Sequence, residues 1–152
     1  MVTVRGFSFP DDLHYLVEQD TWARMDADGM VTVGLTSLGV HISGEFFAFM
    51  PKQVGMAIER DRSFAVLEMS KIVRSAHAPV AGTIVAINED VREHPALVNR
   101  DPYGRGWLVK LNPPAWQRDS ALLVTGADIA KAVIRYMYLN LVNEFGQEPP
   151  PS

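Results

Sequence analysis

Cysteine is absent from the 152-residue chain. That excludes disulfides, zinc-thiolate centres and a cysteine nucleophile, so any thiol or thioester chemistry has to arrive on an attached group. Lysine is scarce: of 14 Lys and Arg residues, only Lys52, Lys71, Lys110 and Lys131 are lysines. If a lysine is modified, the candidates are few. Long apolar runs are missing as well, and no stretch approaches the roughly 20 residues a membrane-spanning helix needs. The opening Met1-Val-Thr-Val-Arg-Gly-Phe-Ser-Phe-Pro10 carries no charged-then-apolar signal pattern, so a cytoplasmic protein with no membrane partner is expected. The net charge of -4 comes with no basic run, which argues against a nucleic-acid partner because phosphate neutralisation needs clustered Lys and Arg.

Catalytic and ligand-spaced arrangements are equally sparse. His41 and Glu45 stand four apart, as metal ligands on a helix can, but Gly44 interrupts any helix there. His14, His77 and His94 have no ligand-spaced partner. The sequence offers no nucleophile–base pair at informative spacing and no phosphate-cradling glycine loop. These absences count against an enzyme and leave a plain interaction domain as one reading.

What is present is an ordinary globular composition, 47% hydrophobic and 21% charged, in a length that fits one domain. The chain centres on residues 63–88. Two arms, Phe64 to Glu68 and Thr83 to Ile87, are rich in apolar and β-branched residues and read as strands. Between them lie Ser70-Lys71, Arg74-Ser75, Pro79 and Gly82. Pro79 cannot donate to a ladder and Gly82 has no side chain to pack, so the second arm begins at a bend or an edge. Lys71 then stands near the tip of a hairpin. By its residues alone this is a polar hairpin tip, and a solvated lysine is its ordinary reading.

Around that centre, residues 1–12 read as an irregular lead-in. Leu13 to Glu18 and Trp22 to Met25 read as short strands, and Asp26-Ala-Asp-Gly29 as a turn into Met30 to Leu35. Thr36 or Ser37 can cap one helical turn that Gly44 ends. Glu45 to Met50 is a strand stopped by Pro51, and Asn88 caps a short helix that Pro95 bends or breaks. Asn99 to Gly106 is a rigid loop, and Trp107 to Leu111 a closing strand. Thr125-Gly-Ala-Asp128 fits a capping box before a helix from Ala127 to Phe145, with Ile129, Val133, Met137, Leu141 and Phe145 spaced four apart and Gly146 as its stop. The boundaries are therefore a lead-in at 1–12, a body at 13–112, a C-terminal extension with helix at 113–146 and a disordered tail at 147–152. Many short strands with a few helices make a β-rich α+β domain.

Longer motifs go further. Glu68-x-x-Lys71 in a strand–turn–strand, followed by Ala78-Pro79-Val80-x-Gly82-Thr-Ile-Val-Ala-Ile-Asn88, resembles the lipoyl-lysine region of the glycine cleavage system H protein. The likeness continues through Pro95-Ala-Leu-Val-Asn99 and Asp101-Pro102-Tyr103-Gly104-x-Gly106-Trp107-Leu108. Upstream, Val31-Thr-Val-Gly34, Gly44-Glu45 and Pro51-x-x-Val-Gly55 fall in the family's order, so the resemblance spans about residues 13 to 111. It implies a lipoyl/biotinyl-type barrel-sandwich of two small antiparallel sheets, with the lysine at a hairpin turn. It also implies lipoate in amide linkage to Lys71, and Glu68 as a recognition residue for the lipoyl-attachment enzyme. Arg74 and His77 lie near the lysine in sequence and are candidates to contact the arm's load. A biotin carrier is disfavoured, because Ser70-Lys71-Ile72 lacks a methionine on either side of the lysine.

The resemblance implies a carrier and partners that act on it: glycine decarboxylase, aminomethyltransferase and dihydrolipoamide dehydrogenase. Three departures point elsewhere in the family. Asp20-Thr21-Trp22 stands where H proteins usually have His-Glu-Trp; Ile72-Val73-Arg74 follows the lysine where small or polar residues are usual; and the chain from Pro113 onward matches poorly. These features resemble the divergent H-like lipoate-binding proteins that work with heterodisulfide-reductase-like complexes in sulfur oxidation. The expectation therefore leans to sulfur-unit carriage, with glycine cleavage as the alternative.

Overall fold

The computed structural model describes residues 1–141. In chain order it contains β1 (Val2–Val4), β2 (Phe7–Phe9), β3 (His14–Leu16), β4 (Thr21–Met25), β5 (Val31–Leu35), α1 (Ser37–Ser43), β6 (Ala48–Pro51), β7 (Ala57–Ile58) and β8 (Ser63–Glu68). There follow β9 (Val73–His77), β10 (Gly82–Ile87), α2 (Glu89–Glu93), α3 (Leu97–Arg100), β11 (Val109–Asn112), α4 (Trp116–Ser120) and α5 (Ile129–Leu141). Short 3₁₀ turns occupy Val17–Gln19 and Gly126–Asp128.

Three antiparallel sheets result: a six-stranded one in the order β3-β4-β5-β11-β10-β7, a three-stranded one in the order β6-β8-β9, and the β1-β2 hairpin. The two larger sheets face each other as the expected barrel-sandwich. Phe64, Leu67 and Ala76 of the small sheet share a core with Val31, Val33, Leu35, Ile84, Val109 and Leu111 of the large one. Each such fully buried aliphatic or aromatic side chain contributes about 1.5–3 kcal/mol. Alternation along β3 and β4 gives the large sheet a second covered face. Leu16 and Ala23 enter the sandwich core, while Tyr15 and Trp22 point into a separate cluster with Val4, Phe9, Leu38, Ile129, Val133 and Met137. The C-terminal helix thus packs on the body of the protein and on the N-terminal hairpin, and Val124 bridges Tyr15 as well.

Local chemistry places most elements where the sequence indicates. Gly29, at φ +85, closes the Asp26 turn, with its N–H on Asp26 O. Thr36 Oγ1 accepts from Gly39 N to cap α1, and Gly44, at φ +87, ends it. Asn88 Oδ1 accepts from Asp90 N at the start of α2, and Pro95 separates α2 from α3.

Four expectations are corrected. Residues 1–12 are not irregular. Val2, Val4, Phe7 and Phe9 alternate across a two-residue turn in which Arg5 and Gly6 both have positive φ, the backbone that a tight hairpin requires. The central hairpin pairs β8 with β9, not with Thr83 to Ile87. After Pro79 the chain crosses to the large sheet, where β10 lies against β11. Gly82 permits that crossing, since a Cβ there would sit 2.9 Å from both Asn112 O and Leu111 Cβ. Strand β6 begins at Ala48 rather than Glu45 and includes Pro51, which an edge strand tolerates because its outer N–H has no ladder partner. The Thr125 capping box does not form. A 3₁₀ turn precedes α5, and Thr125 makes no side-chain cap. The extension also holds the short helix α4, whose buried Asp119 accepts from Ala81 N. Phe145, the Gly146 stop and the tail lie outside the described residues.

Candidate functional site

Lys71 occupies the two-residue connection Ser70-Lys71 of the β8–β9 hairpin. The turn is closed by Met69 N donating to Ile72 O at 2.9 Å. The incoming side is fixed because Met69 is buried in the sandwich core. Immediately beyond it, Ser70, Lys71, Ile72 and Val73 are all exposed. The Lys71 ammonium has no ion-pair partner among the described residues, so acylation there would break no existing charge pair. Such a site fits an amide-linked group.

Register shows what surrounds the lysine. Glu68 lies opposite both Ala48 and Val73, and its carbonyl accepts from Phe47 N at 2.8 Å. The next outward row is Met50, Val66 and Ser75. The outer face of the small sheet is therefore largely apolar yet uncovered. Ile72 and Val73 are 63% and 61% exposed with Glu68 and Lys71, while Phe47, 60% exposed, turns its ring to the groove lined by Glu93, His94 and Pro95. Phe47 is held at that edge by Asn99, whose Oδ1 accepts from Phe46 N while its Nδ2 donates to Gly44 O.

Arg74 faces the other way. Paired opposite buried Leu67, it sends its guanidinium inward to four acceptors: Ser43 Oγ at 2.7 Å, Asp20 Oδ2 and Gln19 O at 3.3 Å, and Gly39 O at 3.4 Å. Tyr136 Oη, from α5, donates to the same Asp20 oxygen at 3.0 Å. Burial pushes the Asp20 carboxyl above its ordinary value, and the Arg74 charge and the Tyr136 bond hold that rise back.

Of the residues singled out by sequence, Glu68 and Lys71 stand together at the hairpin tip. Arg74 is close by in the chain, but its donors are committed to the inward network. His77 is not brought near Lys71. It pairs opposite Ser63 at the base of the hairpin, roughly 13 Å of strand beyond Val73, with Nδ1 3.3 Å from Asp61 Oδ1. Sequence reading missed Phe47, and it missed Gln19, Ser43 and Tyr136 as partners of Arg74. Only the exposed Ile72-Val73 pair left a signal, as an apolar run where a hairpin tip is usually polar. The motif from Asn99 to Trp107 has a structural use: Trp22 Nε1 donates to Pro102 O at 3.1 Å, and Asn88 Nδ2 donates to Arg105 O and Trp107 O at 2.8 Å. No group of three or more His, Asp or Glu among the described residues could hold a metal ion, and no described helix is long and apolar enough to cross a membrane.

The sequence profile described as Glycine cleavage H-protein matches residues 13–135. "Glycine cleavage system H protein 5" of Aquifex aeolicus is 39% identical over 128 residues, covering 82% of this chain and 86% of the relative. "Probable glycine cleavage system H protein 3" of Sulfurisphaera tokodaii is 40% identical, covering 71% and 78%. The crystal structure of a glycine cleavage system H protein from Mycobacterium marinum superposes with a TM-score of 0.71 at 29% identity, covering 87% of this chain and 98% of that one. Proteins of this kind are non-catalytic subunits that carry lipoate covalently on a lysine. The chain belongs to the glycine cleavage H-protein family.

Proposed function

We propose that Lys71 is the lysine acylated by lipoate, and that the chain carries a covalently held intermediate and reducing equivalents between partner enzymes of glycine cleavage. The observation carrying this reading is the placement of Lys71 at an exposed two-residue hairpin connection with no charge partner. The other lysines are placed differently. Lys110 lies in β11 over the Trp107 ring at 5.4 Å, Lys131 lies within α5, and Lys52 follows β6.

Amide formation requires the deprotonated Nζ, which attacks the acyl carbon of an activated lipoyl donor such as lipoyl adenylate; the bond from that carbon to the activating phosphate breaks, AMP leaves, and the ammonium charge is gone from the product. When bound, the dithiolane supplies reversible disulfide–dithiol chemistry and so can hold a transferred group and two electrons. The protein's part is placement. Met69 anchors one arm of the hairpin, the exposed tip lets Lys71 reach into a partner's site, and tethering keeps the cofactor at high local concentration through successive partners. Glu68, with Ile72 and Val73 beside it, forms the face that the attachment enzyme meets first. The likeness to glycine cleavage system H proteins favours the decarboxylase, aminomethyltransferase and dihydrolipoamide dehydrogenase of glycine cleavage as the later partners.

A second reading, sulfur-unit carriage for a heterodisulfide-reductase-like complex, is favoured by one feature. The pair Ile72-Val73 presents exposed aliphatic surface directly after the lysine, where H proteins usually have small or polar residues. The family names do not support it, and reconstitution separates the two readings.

The first test is intact and peptide mass of the chain expressed with lipoate and a lipoyl-attachment system. One lipoyl group on the peptide containing Lys71 is expected, and none in Lys71→Arg, which keeps charge and fold. Retained acylation or group transfer in Lys71→Arg would sink the assignment. With lipoylated protein, glycine-dependent reduction in the presence of the three glycine cleavage enzymes supports the first reading. Reduction only with the sulfur-oxidising complex supports the second.

A further inference from the structure

We infer that Arg74 is a positioning residue for Lys71: its guanidinium ties the outgoing arm of the lysine hairpin to the Gln19–Asp20 junction, to α1 and, through Asp20, to Tyr136 of α5. The inference rests on Lys71 being the acylated lysine.

Strand β9 is an edge strand, bonded only to β8. Strand pairing ends at Glu68 and Val73, so the direction of the tip beyond them is set by the nearest anchored side chain on each arm. On the incoming arm that anchor is Met69, buried in the core. On the outgoing arm Ile72 and Val73 are exposed and hold nothing. The first inward anchor is Arg74, whose hydrogen bonds reach across from β9 to Gln19, Asp20, Gly39 and Ser43. Lys71 hangs between these two anchors.

The cup that receives the guanidinium is built in advance. Asp20 takes a left-handed backbone at φ 61, its N–H bonds Val17 O and its carbonyl accepts from Thr36 N at 2.8 Å. Gly39 is required beside it, since a Cβ there would lie 2.4 Å from the Asp20 Cβ. Tyr136 fixes the carboxylate from the far side. A planar fork with donors spread over three nitrogens fits such a cup, whereas an ammonium offers its three donors from a single atom and cannot span the same acceptors. A buried charge pair adds little net stability over an apolar replacement, so the main consequence of this one is geometric. Because Tyr136 belongs to α5, the helix that closes the second core also supports the lysine hairpin.

The experiment measures acylation of the full chain by a lipoate–protein ligase with lipoate and ATP, together with amide hydrogen exchange at residues 70–73. Arg74→Gln is expected to raise the KM for the protein acceptor 5- to 10-fold with kcat within twofold, as expected if only a fraction of hairpins points productively, and to speed exchange at 70–73 but not in β5. Arg74→Lys recovers part of the KM. Tyr136→Phe and Ser43→Ala, which remove one outer contact each, raise KM about twofold. Unchanged KM and unchanged exchange at 70–73 in Arg74→Gln overturn the inference, as does a loss of thermal stability with KM intact. If Arg74→Gln does not fold, Tyr136→Phe and Ser43→Ala decide: a KM rise at unchanged Tm supports positioning, and wild-type KM in both overturns it. A wild-type chain that is not acylated at Lys71 removes the carrier reading instead, while the exchange measurement still tests whether Arg74 orders the hairpin.

Discussion

Strands β5 and β9 are both five residues long and both carry β-branched residues, yet they serve opposite ends. Every residue of β5 is buried, between β4 and β11 at the centre of the six-stranded sheet. In β9 only Ala76 is buried, and Val73 and Ser75 face outward from the edge of the small sheet. The large sheet is covered on both faces around β3 and β4, by the sandwich core and by the α5 cluster. The small sheet is covered on one. On the proposed reading the two regions divide the work: the first is packed, and the second leaves an apolar face and Lys71 exposed.

The strongest way to break this contrast is to disturb the packed region. Gly34 pairs directly with Trp22, and a Cβ at Gly34 would lie 2.6 Å from the indole ring. Gly34→Ala is expected to destabilise the fold by about 3 kcal/mol, combining an overpacking cost with loss of the Trp22 Nε1 bonds to Leu35 O and Pro102 O. Urea unfolding measures it. At temperatures where the variant stays folded, any rise in the protein KM for acylation of Lys71 measures how far the disturbance reaches Asp20, two residues before Trp22 and the acceptor that holds Arg74. A shift below 0.5 kcal/mol would show that Trp22 is loosely held.

The exposed region should behave in the reverse manner. Val73→Ser and Phe47→Ser remove side chains that are more than half exposed, so each should change stability by less than about 0.5 kcal/mol. If Lys71 is the acylated lysine, the pair together should raise the protein KM in the attachment reaction about tenfold, since exposed apolar side chains at this end of the molecule are ones a partner can cover. Unchanged KM in the double variant would show that the attachment enzyme approaches from another side.

How much of this was legible in the sequence follows from the range of each cause. Asn88, Thr36, Gly29 and Gly44 act through bonds to residues a few positions away, and all four were readable. The place of Lys71 at a hairpin tip was readable because a tight turn is also local, but the residues of the turn alone did not single it out; that came, with Glu68, from the longer motifs. The pairing of β8 with β9 was hidden because Val73-Arg-Ser-Ala-His77 is half polar, as an edge strand is, while Thr83 to Ile87 has the stronger strand composition and so looked like the partner. The β1-β2 hairpin was missed because Arg5-Gly6 is an inconspicuous turn and its strands are three residues long. The Arg74 network could not be read at all: Asp20, Gly39, Ser43 and Tyr136 meet only after four separate elements have packed.

Two carboxylates sharpen the same comparison on a finer scale. Asp26, on the large sheet, is pushed up by burial, but hydrogen bonds from Thr32 and Arg24 and the charges of Arg24 and Lys110 outweigh this and leave it below its ordinary value. Asp20, behind the hairpin, stays above its ordinary value because burial prevails over Arg74 and Tyr136. A lowered carboxyl stabilises the fold above its unfolded pKa of about 3.9, and that stabilisation is lost as pH falls through the folded value. A raised carboxyl does the opposite, favouring the fold at low pH and losing that contribution as pH climbs through its folded value. Asp26→Asn should therefore cost about 1 kcal/mol at pH 7, and the gap from wild type should narrow as the pH of unfolding is lowered below about 4. Chemical denaturation across that range measures it. A gap that stays constant from pH 7 down to pH 3 would mean that the Asp26 charge contributes nothing, and that its neighbours need only the shape of the side chain.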